Sequence, residues 1–184
     1  MKAIGASGCV LLLLAALWLP VLGQEGDLEK AEVVRTGMTL VGAAAGLAAG
    51  SLIGIGFSTD AIDTPLSDTL SLTIPVAAVG AATGALAGHW MANVILKHQP
   101  SPLFAVIEGA GLGLLCGVFV GGITFAVNFA IAHPLLEVPE GYWGRLDYLP
   151  AMGMAVISGG FWGGFFGLLG GAGVVPLISL YMGF

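Results

Sequence analysis

The sequence predicts an all-α membrane protein, with four transmembrane helices forming two related glycine-zipper hairpins behind a signal peptide. Three observations predict it. Hydrophobic residues make up 57% of the chain and charged residues 9%, with a mean hydropathy of +0.99, whereas about a quarter of the residues in a soluble domain are charged. The charges are segregated. None falls in Gly37–Phe57, Leu70–Leu96, Gly109–Ala132 or Leu149–Phe184, and each run meets the roughly 20 helical residues needed to cross a ~30 Å hydrocarbon layer. Within all four runs glycine recurs at every fourth position.

At the N-terminus, Lys2 supplies a positive n-region, Val10–Leu19 an apolar h-region, and Pro20 a break before Val21-Leu22-Gly23. This order reads as a signal peptide over residues 1–23, cleaved before Gln24, with an uncleaved signal anchor as the alternative. Cys9 lies ahead of the apolar run rather than at its end, which disfavours lipidation. The secretory route leads to a membrane, with a bacterial cytoplasmic membrane as the expected destination. Cleavage puts Gln24 outside, Asp60, Asp63 and Asp68 inside, and Lys97 outside. The basic residues run the other way, with Lys30, Arg35 and Lys97 outside against Arg145 inside, and so few charges weigh less than the signal.

A polar segment over residues 24–36 leads into the first hairpin, residues 37–96. Its first helix carries Gly42, Gly46, Gly50 and Gly54, and its second carries Gly80, Gly84 and Gly88. Residues 97–102 form a linker broken by Pro100 and Pro102, and Pro65 marks the turn before it. The second hairpin, residues 103–184, carries Gly109, Gly113, Gly117 and Gly121, then Gly159, Gly163, Gly167 and Gly171. Its loop over residues 133–150 holds Trp143 and Tyr148 as expected interfacial anchors. Pro176 is expected to kink the last helix or to begin a short terminal piece.

Four-residue spacing places these glycines in a stripe along one helix face. Lipid tails are as apolar as leucine, so membrane helices associate by van der Waals contact and need small residues for close backbone approach. The stripes therefore predict helix packing within the chain, with one stripe left for a partner or a pore lining as the sharper alternative. Gly42-Ala43 and Gly46-Leu47 match Gly109-Ala110 and Gly113-Leu114, and the stripes beginning at Gly80 and Gly159 share one spacing, which predicts a duplicated hairpin.

Ionisable groups inside a membrane are functional candidates because holding them there is costly. Glu108 adjoins the start of the third run, where the helix dipole favours its charge and a capping or interfacial role is expected over proton transfer. His89 and Asn93, four residues apart, share a face near the end of the second run, ahead of Lys97 and His98. They fit a polar track between helices or the rim of an opening. A two-histidine metal site would lack a carboxylate or cysteine at ligand spacing. Thr124 and Asn128, again four apart, would hydrogen-bond between helices.

Cys9 and Cys116 build no disulfide framework, and eleven carboxylates against five basic side chains leave no patch for a nucleic-acid backbone. No nucleophile, base and orienting acid recur in a catalytic pattern, and no phosphate-cradling loop follows a strand. The expected partners are the lipid bilayer and other membrane proteins or further copies of the chain. No cofactor, metal or enzymatic role is expected.

Glycine stripes in four successive spans resemble the mitochondrial inner-membrane protein-translocase channel family, whose compact four-helix members pass or guide polypeptides. That family's Arg-x-x-x-Asp signature is missing, since Arg145-Leu146-Asp147 has another spacing and Arg35 has no acid four residues on. The duplicated hairpin also looks like the proteolipid ring subunits of rotary ATPases, but Leu70–Leu96 and Leu149–Phe184 lack the mid-membrane carboxylate of that family. The function expected is thus a non-enzymatic membrane scaffold or accessory subunit packed through glycine-zipper faces. The alternative is a small channel or transporter at the interface of the two hairpins, and an enzyme using Glu108 or His89 stands third.

Overall fold

A computed structural model describes residues 27–59, 66–135 and 148–184. The expected signal peptide, Pro65 and Trp143 lie outside the described residues. The helices are α1 (Asp27–Thr59), α2 (Leu66–His98), α3 (Pro102–Leu135) and α4 (Tyr148–Met182). Each contains a segment long and apolar enough to span a membrane: Leu28–Ile55, Thr73–His98, Pro102–Ile131 and Met152–Met182. The chain is an integral multi-pass membrane protein, and its helices pack as two hairpins, α1 with α2 and α3 with α4.

Three boundaries differ from the sequence reading. The polar segment is not separate, because α1 begins at Asp27 and carries Glu29, Lys30, Glu32 and Arg35 on its first turns; these straight-chain residues favour helix. The linker shrinks to Gln99–Ser101, with Lys97 and His98 in the last turn of α2, where positive charge suits the dipole. Pro102 opens α3 rather than following a break. Its missing N–H costs nothing at a first helical position, and Ala105 N–H donates to the Ser101 carbonyl at 2.8 Å. Pro176 neither ends α4 nor starts a new piece, and α4 runs through it to Met182.

The glycines explain the hairpins. In the first, Gly42 lies against Gly84 and Gly46 against Gly80, while Gly50 meets Val76 and Ala77. In the second, Gly109 lies against Gly171, Gly113 against Gly167, Gly117 against Gly163 and Gly121 against Gly159. A methyl group added at any of these positions would overlap backbone of the facing helix. Each glycine–glycine contact is reciprocal, with the carbonyl oxygen of one glycine directed at the bare Cα of its opposite number, an approach that admits weak Cα–H···O attraction. Gly88 meets the Met38 carbonyl and Gly54 meets Thr73, extending the first zipper at both ends. Gly111, Gly153, Gly170 and Gly173 have no neighbour within 4 Å of an added Cβ and take no part.

The register alters the match between the hairpins. Gly46 pairs with Gly80 and its counterpart Gly113 pairs with Gly167. The structural counterpart of Gly80 is therefore Gly167 and not Gly159, a displacement of two helical zipper steps. Sequence spacing alone does not reveal it, because every step of the zipper looks like every other.

Contact between the hairpins is much smaller than contact within them and runs mainly through α2 and α3. Its core is Val34 and Met38 of α1, Met91, Ala92 and Ile95 of α2, Ala105 of α3 and Val175 of α4, flanked by Leu112, Cys116 and Ile178. These residues come from the start of α1, the end of α2, the start of α3 and the end of α4, so the four helices meet toward one end of the bundle. The short Gln99–Ser101 connection holds them there.

Candidate functional site

Polar side chains gather at that same end. Between α1 and α2, Arg35 Nε donates to Asn93 Oδ1 at 3.0 Å, and Arg35 Nη1 lies 3.4 Å from Glu32 Oε2. One turn on, the Thr39 hydroxyl donates to the Arg35 carbonyl at 2.7 Å and lies 3.4 Å from His89 Nδ1. Since the hydroxyl hydrogen is engaged by the carbonyl, the contact with His89 needs hydrogen on Nδ1, which donates to Thr39 Oγ1. His89 and Asn93 are thus joined through two α1 residues, Arg35 and Thr39, that the sequence reading had not placed beside them. The four-residue spacing of Arg35 and Thr39 on α1, mirroring that of His89 and Asn93 on α2, was the available signal.

Glu108 pairs across the connection between hairpins, its Oε1 lying 2.8 Å from His98 Nδ1. The His98 side chain is more than half exposed, a setting in which an ion pair contributes at most about 1 kcal/mol. On the far side of the junction, Lys30 Nζ lies 5.8 Å from the centre of the Tyr181 ring, a cation–π contact between α1 and α4. Cys116 Sγ approaches the Ala87 carbonyl at 3.7 Å, deeper along the α2–α3 seam.

Thr124 and Asn128 are elsewhere. Both are fully enclosed on α3, beyond Gly121 and away from the junction. The Thr124 hydroxyl donates to the Val120 carbonyl of its own helix at 2.6 Å, and neither atom of the Asn128 amide has a hydrogen-bond partner among the described residues. The five polar candidates therefore divide: His89 and Asn93 line the α1–α2 seam, Glu108 bridges α2 and α3, and Thr124 and Asn128 sit inside the second hairpin. They do not form one continuous track.

Beside the polar seam is a cavity of about 290 Å³, bounded by Leu28, Ala31 and Arg35 of α1, Leu96 of α2, Gln99 of the connection, and Met182 and Phe184 at the end of α4. It brings together both hairpins. Among the described residues, no group of three or more histidine, cysteine or acidic side chains is placed to hold a metal ion.

The outer faces contrast with this end. On α4, Phe161, Trp162, Phe165 and Phe166 are all exposed and in ring contact, edge to face except for Trp162 and Phe166, which stack at 6.1 Å with 26° between ring planes. Comparison with known proteins adds no relative: no family model, characterised protein or solved structure matches this chain.

Proposed function

With four spans packed as two hairpins as the premise, we propose that the protein is a non-enzymatic membrane scaffold or accessory subunit. One observation carries the reading: the glycine faces are consumed inside the hairpins, which turns large apolar side chains outward. Leu47, Leu52 and Ile55 of α1, Leu86 of α2, Phe119 of α3 and the aromatic group of α4 are all exposed. A rigid pair of hairpins is suited to presenting such faces to other helices. Trp162 strengthens the argument, because tryptophan favours the membrane–water interface while Trp162 lies level with Val118, near the middle of the Pro102–Ile131 span.

A channel at the interface of the two hairpins would need polar side chains along that seam. Where the hairpins meet, the contact between them is filled among the described residues by Val34, Met38, Met91, Ile95 and Val175, while Arg35, Thr39, His89 and Asn93 pair within the first hairpin rather than across that contact. The reading of two related hairpins draws support from the equivalent reciprocal pairs Gly46–Gly80 and Gly113–Gly167. The signal peptide remains our reading of residues 1–23, and delivery to a bacterial cytoplasmic membrane remains the expected destination.

Affinity purification in mild detergent, followed by mass spectrometry, tests the scaffold reading. Stable stoichiometric partners or a defined homo-oligomer are expected, and a mature chain beginning at Gln24. A lone monodisperse monomer would count against it. Flux in reconstituted vesicles above that of empty ones, changed by Gly80→Leu or His89→Ala in folded protein, would move the assignment to a channel.

A further inference from the structure

The cavity at the hairpin junction combines apolar walls with two hydrogen-bonding side chains, Arg35 and Gln99. Glu29, Lys30, Glu32 and Arg35 occupy the first turns of α1, immediately ahead of the uncharged run that begins at Gly37. Charged side chains at the end of a span favour the headgroup level, where lipid phosphates lie. Arg35 spends one donor on Asn93 and another on a long contact with Glu32, whose side chain is 71% exposed. So solvated a pair contributes little, whereas a phosphate accepts two parallel hydrogen bonds from a guanidinium.

Gln99 supplies the second observation. It is the one non-glycine residue with positive φ among the described residues, at φ 50°. A side chain pays an energetic penalty in this left-handed conformation, and a following proline, here Pro100, normally drives the preceding residue to extended backbone. Helices commonly end on glycine at this position, as α4 does with Gly183 at φ 82°. The chain contains 31 glycines, yet it places glutamine at the end of α2. The Gln99 backbone N–H closes the helix on the Ile95 carbonyl at 2.8 Å, a bond that glycine would make equally well. What glutamine adds is a side chain lining the cavity.

We infer that this cavity binds the headgroup of an anionic phospholipid from the surrounding bilayer. The phosphate is held by Arg35 and the Gln99 amide, with the glycerol and first methylenes against Leu28, Leu96 and Met182. Arg35 is the one charged side chain lining the cavity, and its positive charge favours a headgroup with net negative charge over a zwitterionic one. The bound lipid bridges both hairpins, because its contacts come from α1, α2 and α4.

Native mass spectrometry of the full chain in mild detergent, titrated with phosphatidylglycerol, phosphatidylcholine or inorganic phosphate, tests the inference. Phosphatidylglycerol is expected to bind roughly fivefold more tightly than phosphatidylcholine, the scale of one cationic side chain acting on the net charge of the headgroup. Gln99→Gly should weaken the binding of both lipids several-fold, because it removes a phosphate contact common to them, while the protein melts at an equal or higher temperature, since glycine adopts the left-handed conformation freely. Arg35→Gln should remove the preference, and Arg35→Lys should restore it in part. Should Arg35→Gln fail to fold, Gln99→Gly decides. Equal binding of the two lipids, or undiminished phosphatidylglycerol binding by folded Gln99→Gly, overturns the inference. Displacement of the lipid by millimolar inorganic phosphate overturns the lipid assignment in favour of a free phosphate site, and failure to displace it supports the bilayer as the source.

Discussion

Within each hairpin the helices touch backbone to backbone over several turns, whereas the two hairpins touch through side chains at one end. The difference follows from what each surface can do without a hydrophobic driving force. A glycine face gains close dispersion contact along its whole length, but only against another face with matching gaps. The hairpin junction has valine, methionine and isoleucine instead, whose side chains hold the backbones apart and leave room for polar groups and a cavity. Close backbone packing thus resides in the hairpins, and side-chain packing resides between them.

The largest expected effect breaks a zipper. Gly117→Leu, which places a bulky side chain against the Gly163 backbone, should destabilise the second hairpin by at least about 3 kcal/mol, the upper end of overpacking costs. Gly173→Ala, with open space around it, should shift stability by under about 1 kcal/mol, in the stabilising direction. Unfolding in mild detergent measures both, and equal losses would show that the zipper does not set stability.

Next comes Ala105→Leu, at a fully buried junction position. A cost of about 1–3 kcal/mol is expected from overpacking, with each hairpin intact. Spin labels on the exposed positions Leu52 and Ile123 should report a changed distance between hairpins, and an unchanged distance would mean that the junction does not set their angle.

Asn128→Leu sharpens the comparison from inside a hairpin. Replacing an enclosed amide that lacks partners among the described residues with an apolar side chain of similar size should stabilise by about 1 kcal/mol. A loss of stability would instead reveal a polar partner for Asn128. The smallest effect is His98→Ala, for which the exposed pairing with Glu108 predicts a loss below about 1 kcal/mol. Thermal unfolding distinguishes that from a structural clamp, which would cost more.

Much of this arrangement was legible in the residues. Hydropathy and charge segregation marked the spans, and glycine spacing marked the faces that meet, because both depend on local periodicity along a helix. Glu32 and Arg35 were harder to place, since their charge argued for a polar segment ahead of the helix while their propensity favoured continuing it. Pro102 misled for a similar reason: proline breaks a helix only where its missing N–H and its ring matter, which depends on position and surroundings.

By itself, then, the sequence determined four apolar helices, the face that each offers and the scarcity of ionisable groups between charged ends. Tertiary structure alone decided that Gly113 meets Gly167, that Arg35 and Thr39 join His89 and Asn93, and that Asn128 lies apart from them. A four-residue repeat is nearly degenerate under a shift of one step, so the register is chosen by the turns, the junction and the packing of whole helices together.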